Sequence, residues 1–164
     1  MRQLFISCIS AVWLTACGGG FADITGSVDG KKVGGSSAFW GGPYMVFLDT
    51  EMECDQMSWV SERYSIGSDE LRTDATFNAL QITYESAEVQ DGKLTIAATN
   101  SPATGWFIAS DRGTADTYRS TTGSIDSTLE DDWLSGTFEV NFGDDGSLNG
   151  EFEIEKCENL KPRR

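Results

Sequence analysis

Leu134-Ser135-Gly136-Thr137-Phe138-Glu139-Val140-Asn141-Phe142 alternates small or apolar residues with polar ones, the period of two that belongs to a strand with one buried face. The same period recurs on both sides. Upstream, Gly123, Ile125, Ser127 and Leu129 share one face; downstream, Leu148, Gly150, Phe152 and Ile154 do. Glu130-Asp131-Asp132 and Gly143-Asp144-Asp145-Gly146 interrupt the pattern with turn-forming residues, so the three segments read as antiparallel strands joined by hairpin loops. The opposite face carries Asp126, Glu139, Glu151, Glu153 and Glu155, which predicts a meander with one core face and one acidic, wet face.

Working back from the meander, short alternating segments continue between glycine, asparagine and aspartate breaks. Ile24 to Val28 reads as a first strand, with Asp29-Gly30 as a tight turn into Lys31-Lys32-Val33. Ser37 to Trp40 and Tyr44 to Leu48 flank Gly41-Gly42-Pro43. In the second of these, Tyr44, Val46 and Leu48 fall on one face while Met45 and Phe47 fall on the other, so both faces are expected to be covered. Asp49 to Thr76 is the least regular segment, expected as a long loop with a helical turn at Asp55 to Val60. Leu80, Ile82 and Tyr84, then Leu94, Ile96 and Ala98 beyond Asp91-Gly92, suggest a hairpin. Asn100-Ser101-Pro102 marks a turn before a strand at Gly105 to Ser110, with Trp106 and Ile108 opposite Phe107 and Ala109; Thr114 to Thr121 is polar. The expected class is all-β, an antiparallel β-sandwich or barrel of about 8–9 strands ending in a three-stranded meander. One β domain over 23–158 is followed by a basic tail at 159–164.

The amino terminus has a different character. Arg2 precedes an apolar run from Leu4 to Leu14 that closes on small residues, the pattern of a secretory signal peptide over residues 1–16. The run is well short of the roughly 20 residues that span a bilayer core. Leu14-Thr15-Ala16-Cys17 resembles the lipobox of bacterial lipoproteins. The resemblance implies cleavage before Cys17, which would then carry a diacylglyceryl thioether and an N-acyl chain and hold the protein to a lipid bilayer. Residues 17–22, with Gly18, Gly19 and Gly20, would form the tether. Gly18 stands where that family's sorting rule places aspartate for inner-membrane retention, so the resemblance implies the outer membrane, at its periplasmic face or the cell surface. Gly136-Thr137-Phe138, Gly150-Glu151-Phe152 and Cys157 also resemble segments of small β-rich lipoproteins of Gram-negative bacteria, a likeness that implies no activity.

Removal of residues 1–16 from the 164 leaves 148, a length that suits one domain. The mature chain carries 11 basic against 26 acidic side chains, a formal charge of −15. Such a surface excludes the phosphate neutralisation that nucleic-acid binding needs, and disfavours electrostatic docking on anionic lipid. With Cys8 removed and Cys17 acylated, Cys54 and Cys157 remain; an isolated pair in an oxidising compartment is expected to form a disulfide.

Catalytic chemistry has few footholds. The sequence contains no histidine, which excludes the Ser-His-Asp and Cys-His arrangements, and no zinc centre is expected from two cysteines. No cofactor and no metal site is expected. Trp40, Trp59, Trp106 and Trp133 are the candidate ligand platform, since indoles bury large area and keep one polar handle. The expected function is a non-enzymatic, membrane-anchored β domain for binding or envelope structure, with a protein partner in the envelope. The alternatives are a small apolar-ligand or lipid carrier, whose barrel interior would hold the molecule, and a carboxylate-based hydrolase, which needs two acids about 5–10 Å apart in a cleft.

Overall fold

The structure is a computed structural model that describes residues 20–54, 76–112, 114–158 and 160, together with the backbone of 59–61 and 65–67. The lipobox, the signal segment, Gly18 and Gly19, the first part of the expected helical turn and residues 161–164 of the basic tail lie outside the described residues.

Twelve strands are described: β1 (Phe21–Val28), β2 (Ser37–Gly41), β3 (Tyr44–Leu48), β4 (Trp59–Ser61), β5 (Ser65–Gly67), β6 (Phe77–Tyr84), β7 (Gly92–Ala97), β8 (Ala103–Asp111), β9 (Thr114–Arg119), β10 (Thr122–Glu130), β11 (Trp133–Asn141) and β12 (Gly146–Lys156). β4 and β5 pair only with each other. The rest form one sheet in the order β1-β12-β11-β10-β7-β8-β6-β3-β2, and β2 returns to pair with β12. An eight-stranded barrel therefore closes through β2, β3, β6, β8, β7, β10, β11 and β12. β1 lies along the first part of β12, and β9 along the second part of β8.

The meander forms as the alternation predicts, except that Leu129, expected on the core face, is exposed near the end of the barrel. Leu134, Phe138, Val140, Leu148, Phe152 and Ile154 are buried, while Asp126, Glu139, Glu151, Glu153 and Glu155 are exposed. The inward glycines have a packing reason. A Cβ on Gly150 would lie 2.7 Å from Cζ of Phe138, and one on Gly105 would lie 2.9 Å from Cγ1 of Val140. Small residues thus alternate with large ones so that rings fit the bore. Phe47 meets Phe138 at 5.2 Å and Phe152 at 5.7 Å between ring centroids, and Phe107 meets Phe142 at 6.3 Å. Val89 and Trp40 belong to this same interior cluster at one end; Val28, Val33 and Phe142 belong to it at the other. Eight strands leave a bore just wide enough for side chains to fill.

Expectations on four points need correction. First, the sheet is mixed rather than antiparallel: β12 pairs β2 in parallel (Glu155↔Phe39, Lys156↔Trp40), and β7 pairs β8 in parallel at Ile96↔Ala103. The second arises because the loop after β7 doubles back, held where the Ser101 hydroxyl donates to the Thr95 carbonyl. Second, β6 and β7 do not form a hairpin, since β8 lies between them. The linker from Glu85 carries Val89 into the core, where its N–H donates to the Gly42 carbonyl, so the chain crosses the barrel end instead of turning back. Third, β1 begins at Phe21 inside the expected tether, Thr114–Arg119 is the strand β9, and Trp59 and Val60, placed in a helical turn, are strand. Fourth, Leu160, expected in the basic tail, is buried against the outer cluster.

Asp29-Gly30 does make the tight turn, with φ of 49° and 72° and reciprocal backbone hydrogen bonds between Val28 and Lys31. Both central residues have positive φ, the hairpin geometry that Asp-Gly favours.

Both faces of β3 are buried, as the sequence suggests. Met45 and Phe47 face the bore, while Tyr44, Val46 and Leu48 join Phe39, Phe77, Ala79 and Ile108 in a second cluster on the outside of the barrel. Met52, Cys157 and Leu160 pack over this outer cluster. Its cover is pinned twice. The Met52 N–H donates to the Ser37 hydroxyl at 2.7 Å, and Cys54 is disulfide-bonded to Cys157, with Cα atoms 5.5 Å apart.

Candidate functional site

The end of the barrel that carries the β10–β11 turn gathers the most chemistry. Trp40 on β2 points into the bore, where its indole N–H donates to the Asp132 carbonyl at 3.2 Å. The Lys156 backbone N–H donates to the same carbonyl at 2.8 Å. One turn residue therefore ties β2, β11 and β12 together just where the parallel β12–β2 contact closes the barrel. The Lys156 ammonium lies 2.9 Å from a Glu158 carboxylate oxygen, 3.9 Å from Asp132 and 5.7 Å from the Trp40 ring centroid. Its pKa is raised, first by the hydrogen bond to Glu158 and further by the negative fields of Glu158, Asp132 and Glu88. The ammonium therefore keeps its proton and faces the Trp40 ring as a cation–π contact. One residue further, the Cys157 N–H donates to the Trp40 carbonyl at 2.7 Å, and its sulfur closes the disulfide.

Of the four tryptophans, this corner brings together two. Trp133 follows Asp132 directly and lies opposite Glu155 on the outward face, 43% exposed. Trp106 lies elsewhere, on the outer face of β8 between Gln81 of β6 and Arg119 of β9, with the Arg119 guanidinium 5.2 Å above its ring centroid. Trp59 is described only in backbone, on β4. The four thus divide between the bore, two separate stretches of the outer face and a peripheral hairpin, and Trp40 is an end plug of the core.

A second corner sits at the opposite end, where the Asp29-Gly30 turn meets β9. The Tyr118 hydroxyl donates to an Asp29 carboxylate oxygen at 2.8 Å, and the Lys31 ammonium lies 3.2 Å from Asp116. The Tyr118 phenol is pushed up to about 12, first by the hydrogen bond to Asp29, then by desolvation and the fields of Asp29, Asp116 and Asp145. Its proton therefore stays in place, which makes this pair a clasp between β1 and β9 rather than a base. Tyr84 is likewise held at about 12, mainly by burial, and its hydroxyl donates to the Met45 sulfur at 3.4 Å. Among the described residues, no group of three or more Cys, Asp or Glu side chains is arranged to hold a metal ion.

The disulfide was legible as a pair of cysteines; the corners were not. Lys156 is the single cation in a run from Glu151 to Glu158, a signal that a charge is being held there for local reasons. The Trp106–Arg119 and Tyr118–Asp29 contacts depend on strand order, which spacing does not reveal. Comparison with protein-family models, curated proteins and solved structures returned no match.

Proposed function

We propose that this chain is a lipid-anchored, non-enzymatic envelope protein whose acylated Cys17 holds the barrel at the outer membrane and whose outer surface does its binding or structural work. The observation that carries the second half of this reading is the filled bore. Rings from β3, β11 and β12 are in mutual contact across it, and Trp40, Val89, Val28, Val33 and Phe142 are buried in the same cluster, so among the described residues the surface left for binding is the exterior. An apolar guest would have to part these rings, which counts against the carrier reading.

Two further observations support the placement. A closed disulfide belongs to proteins that mature in an oxidising compartment. The outward face of the meander bears Glu139, Glu151, Glu153 and Glu155, whereas a membrane-spanning barrel turns an apolar band outward. On this reading the barrel lies in water beside the membrane, with acyl chains as its hold. Two or three such chains anchor stably where one does so marginally.

Native mass spectrometry of the mature protein purified from its own membrane tests this reading. The expected species begins at Cys17 with the mass of its acyl groups, is oxidised at Cys54 and Cys157, and carries no small molecule. A stoichiometric retained lipid or metabolite would replace the reading with the carrier; an unacylated amino terminus would remove the anchor.

A further inference from the structure

The exposed large apolar side chains among the described residues are Phe21, Leu129 and Trp133, all at the end of the barrel where β1 begins. Phe21 is 57% exposed. It pairs with Glu153 on one side of β12, and Trp133 pairs with Glu155 on the other. Directly paired residues share a face, so both rings stand on the outside of the sheet. Two strand spacings and a two-residue offset put their Cα atoms about 12 Å apart.

The chain enters β1 at this same end. Gly20 lies against Ile154, with the position of a Cβ 2.5 Å from the Ile154 Cα, so the backbone preceding Phe21 leads toward the Glu155 and Trp133 end of β12. Cys17 is four residues before Phe21, a reach of at most about 14 Å. Whatever anchors Cys17 is thus held beside the two rings.

We propose that Phe21 and Trp133 form a second membrane contact, seating this end of the barrel in the headgroup layer of a zwitterionic bilayer. The inference rests on acylation of Cys17. The amphipathic indole of Trp133 favours that layer, the apolar ring of Phe21 can bury toward the acyl chains beneath it, and the anchor holds both there. Glu153, Glu155, Glu130 and Asp132 around them repel anionic lipid and suit headgroups that carry an amine. The anchor would then fix the orientation of the domain as well as its location, turning the Tyr118–Asp29 end away from the membrane.

The test uses the mature, acylated protein in vesicles of phosphatidylethanolamine and phosphatidylcholine brominated along the acyl chains, with tryptophan fluorescence as readout. Quenching by brominated chains is expected for the parent and is lost in Trp133→Phe, which floats with the vesicles equally well. Exchanging part of the zwitterionic lipid for phosphatidylglycerol at low salt is expected to reduce the quenching. Equal quenching of parent and variant in floating protein overturns the proposal and leaves the anchor standing. Protection of Trp133 from a water-soluble quencher only after a basic protein is added overturns it in favour of a protein partner. Protein that neither floats nor shows an acyl mass has lost the anchor itself, and this inference with it.

Discussion

The two sides of the barrel bury their strands in opposite ways. On the side of β10, β11 and β12, one face is core and the other is acidic and wet, and short hairpin loops suffice to hold the strands together. On the side of β2, β3 and β6, joined by Ile108 of β8, both faces are buried, and the outer one needs a cover drawn from residues far apart in the chain. The first side is stabilised by pairing between neighbours. The second depends on a disulfide that joins residues 103 positions apart. Local sequence order therefore builds one half of the molecule, while a long-range covalent link completes the other.

The sharpest way to break this division is to strike where the two sides meet. Phe47 comes from the doubly buried side, and its ring packs on Phe138 and Phe152 of the meander. Phe47→Ala is expected to cost about 3–5 kcal/mol, the usual range for deleting a buried ring. Denaturant unfolding should remain a single transition with an unchanged slope. Two separate transitions would show that the sides fold independently, against the shared core described above.

Removing the disulfide separates the sides instead. Replacing Cys54 and Cys157 together by alanine is expected to cost about 2–5 kcal/mol, given the long loop they close. Hydrogen exchange gives the more specific readout. The amides of Met52 and its neighbours should lose protection first, while those of β11 and β12 retain theirs until global unfolding. Uniform loss across the barrel would mean that the cover and the meander share one cooperative unit.

This contrast also explains what the sequence made legible. Where one face is wet, alternation is visible in the residues themselves, and Gly123 to Ile154 could be read strand by strand. Where both faces are covered, as in Tyr44-Met45-Val46-Phe47-Leu48, the run announces burial without saying by what. The hairpin expected between β6 and β7 failed for a related reason: Val89 supplies the decisive contact, yet in sequence it is one apolar residue in a polar linker. The cysteine pair was legible because two cysteines left over in a chain read as exported are expected to pair. The Asp132 carbonyl, which gathers Trp40 and Lys156, was not, because backbone groups leave no mark on side-chain pattern.

A pH titration tests the doubly covered side through Tyr84, whose hydroxyl donates to Met45 of β3 and whose pKa stands at about 12 against 10 for an exposed phenol. A phenol with a raised pKa in the fold keeps its proton longer there than in the unfolded chain. Its contribution is therefore complete below pH 10 and disappears as the pH climbs toward 12. Two pH units correspond to about 2–3 kcal/mol. Absorbance titration should show a late-ionising tyrosine that is missing in Tyr84→Phe, and the variant should lose stability less steeply over that interval. Tyr118 ionises in the same range, so the difference between parent and variant carries the test.

On the wet side, the smallest effect asks why so many acids stand there. Asp23 of β1 lies directly opposite Glu151 of β12, and both are exposed. Like charges in that position oppose pairing, so neither residue is there for the strength of the sheet. Asp23→Lys should convert repulsion into attraction and raise stability by about 0.2–1 kcal/mol at low salt. The gain should shrink in molar salt, because exposed charges are screened there within about 3 Å. A gain that salt leaves untouched would point to packing of the lysine stem along β12 instead. A loss would show that Asp23 makes a favourable contact and that the acidic face contributes to stability. The expected salt-sensitive gain would mean that the face gives up a little sheet stability and keeps its negative field, which is the behaviour of a surface whose charge serves solubility rather than pairing.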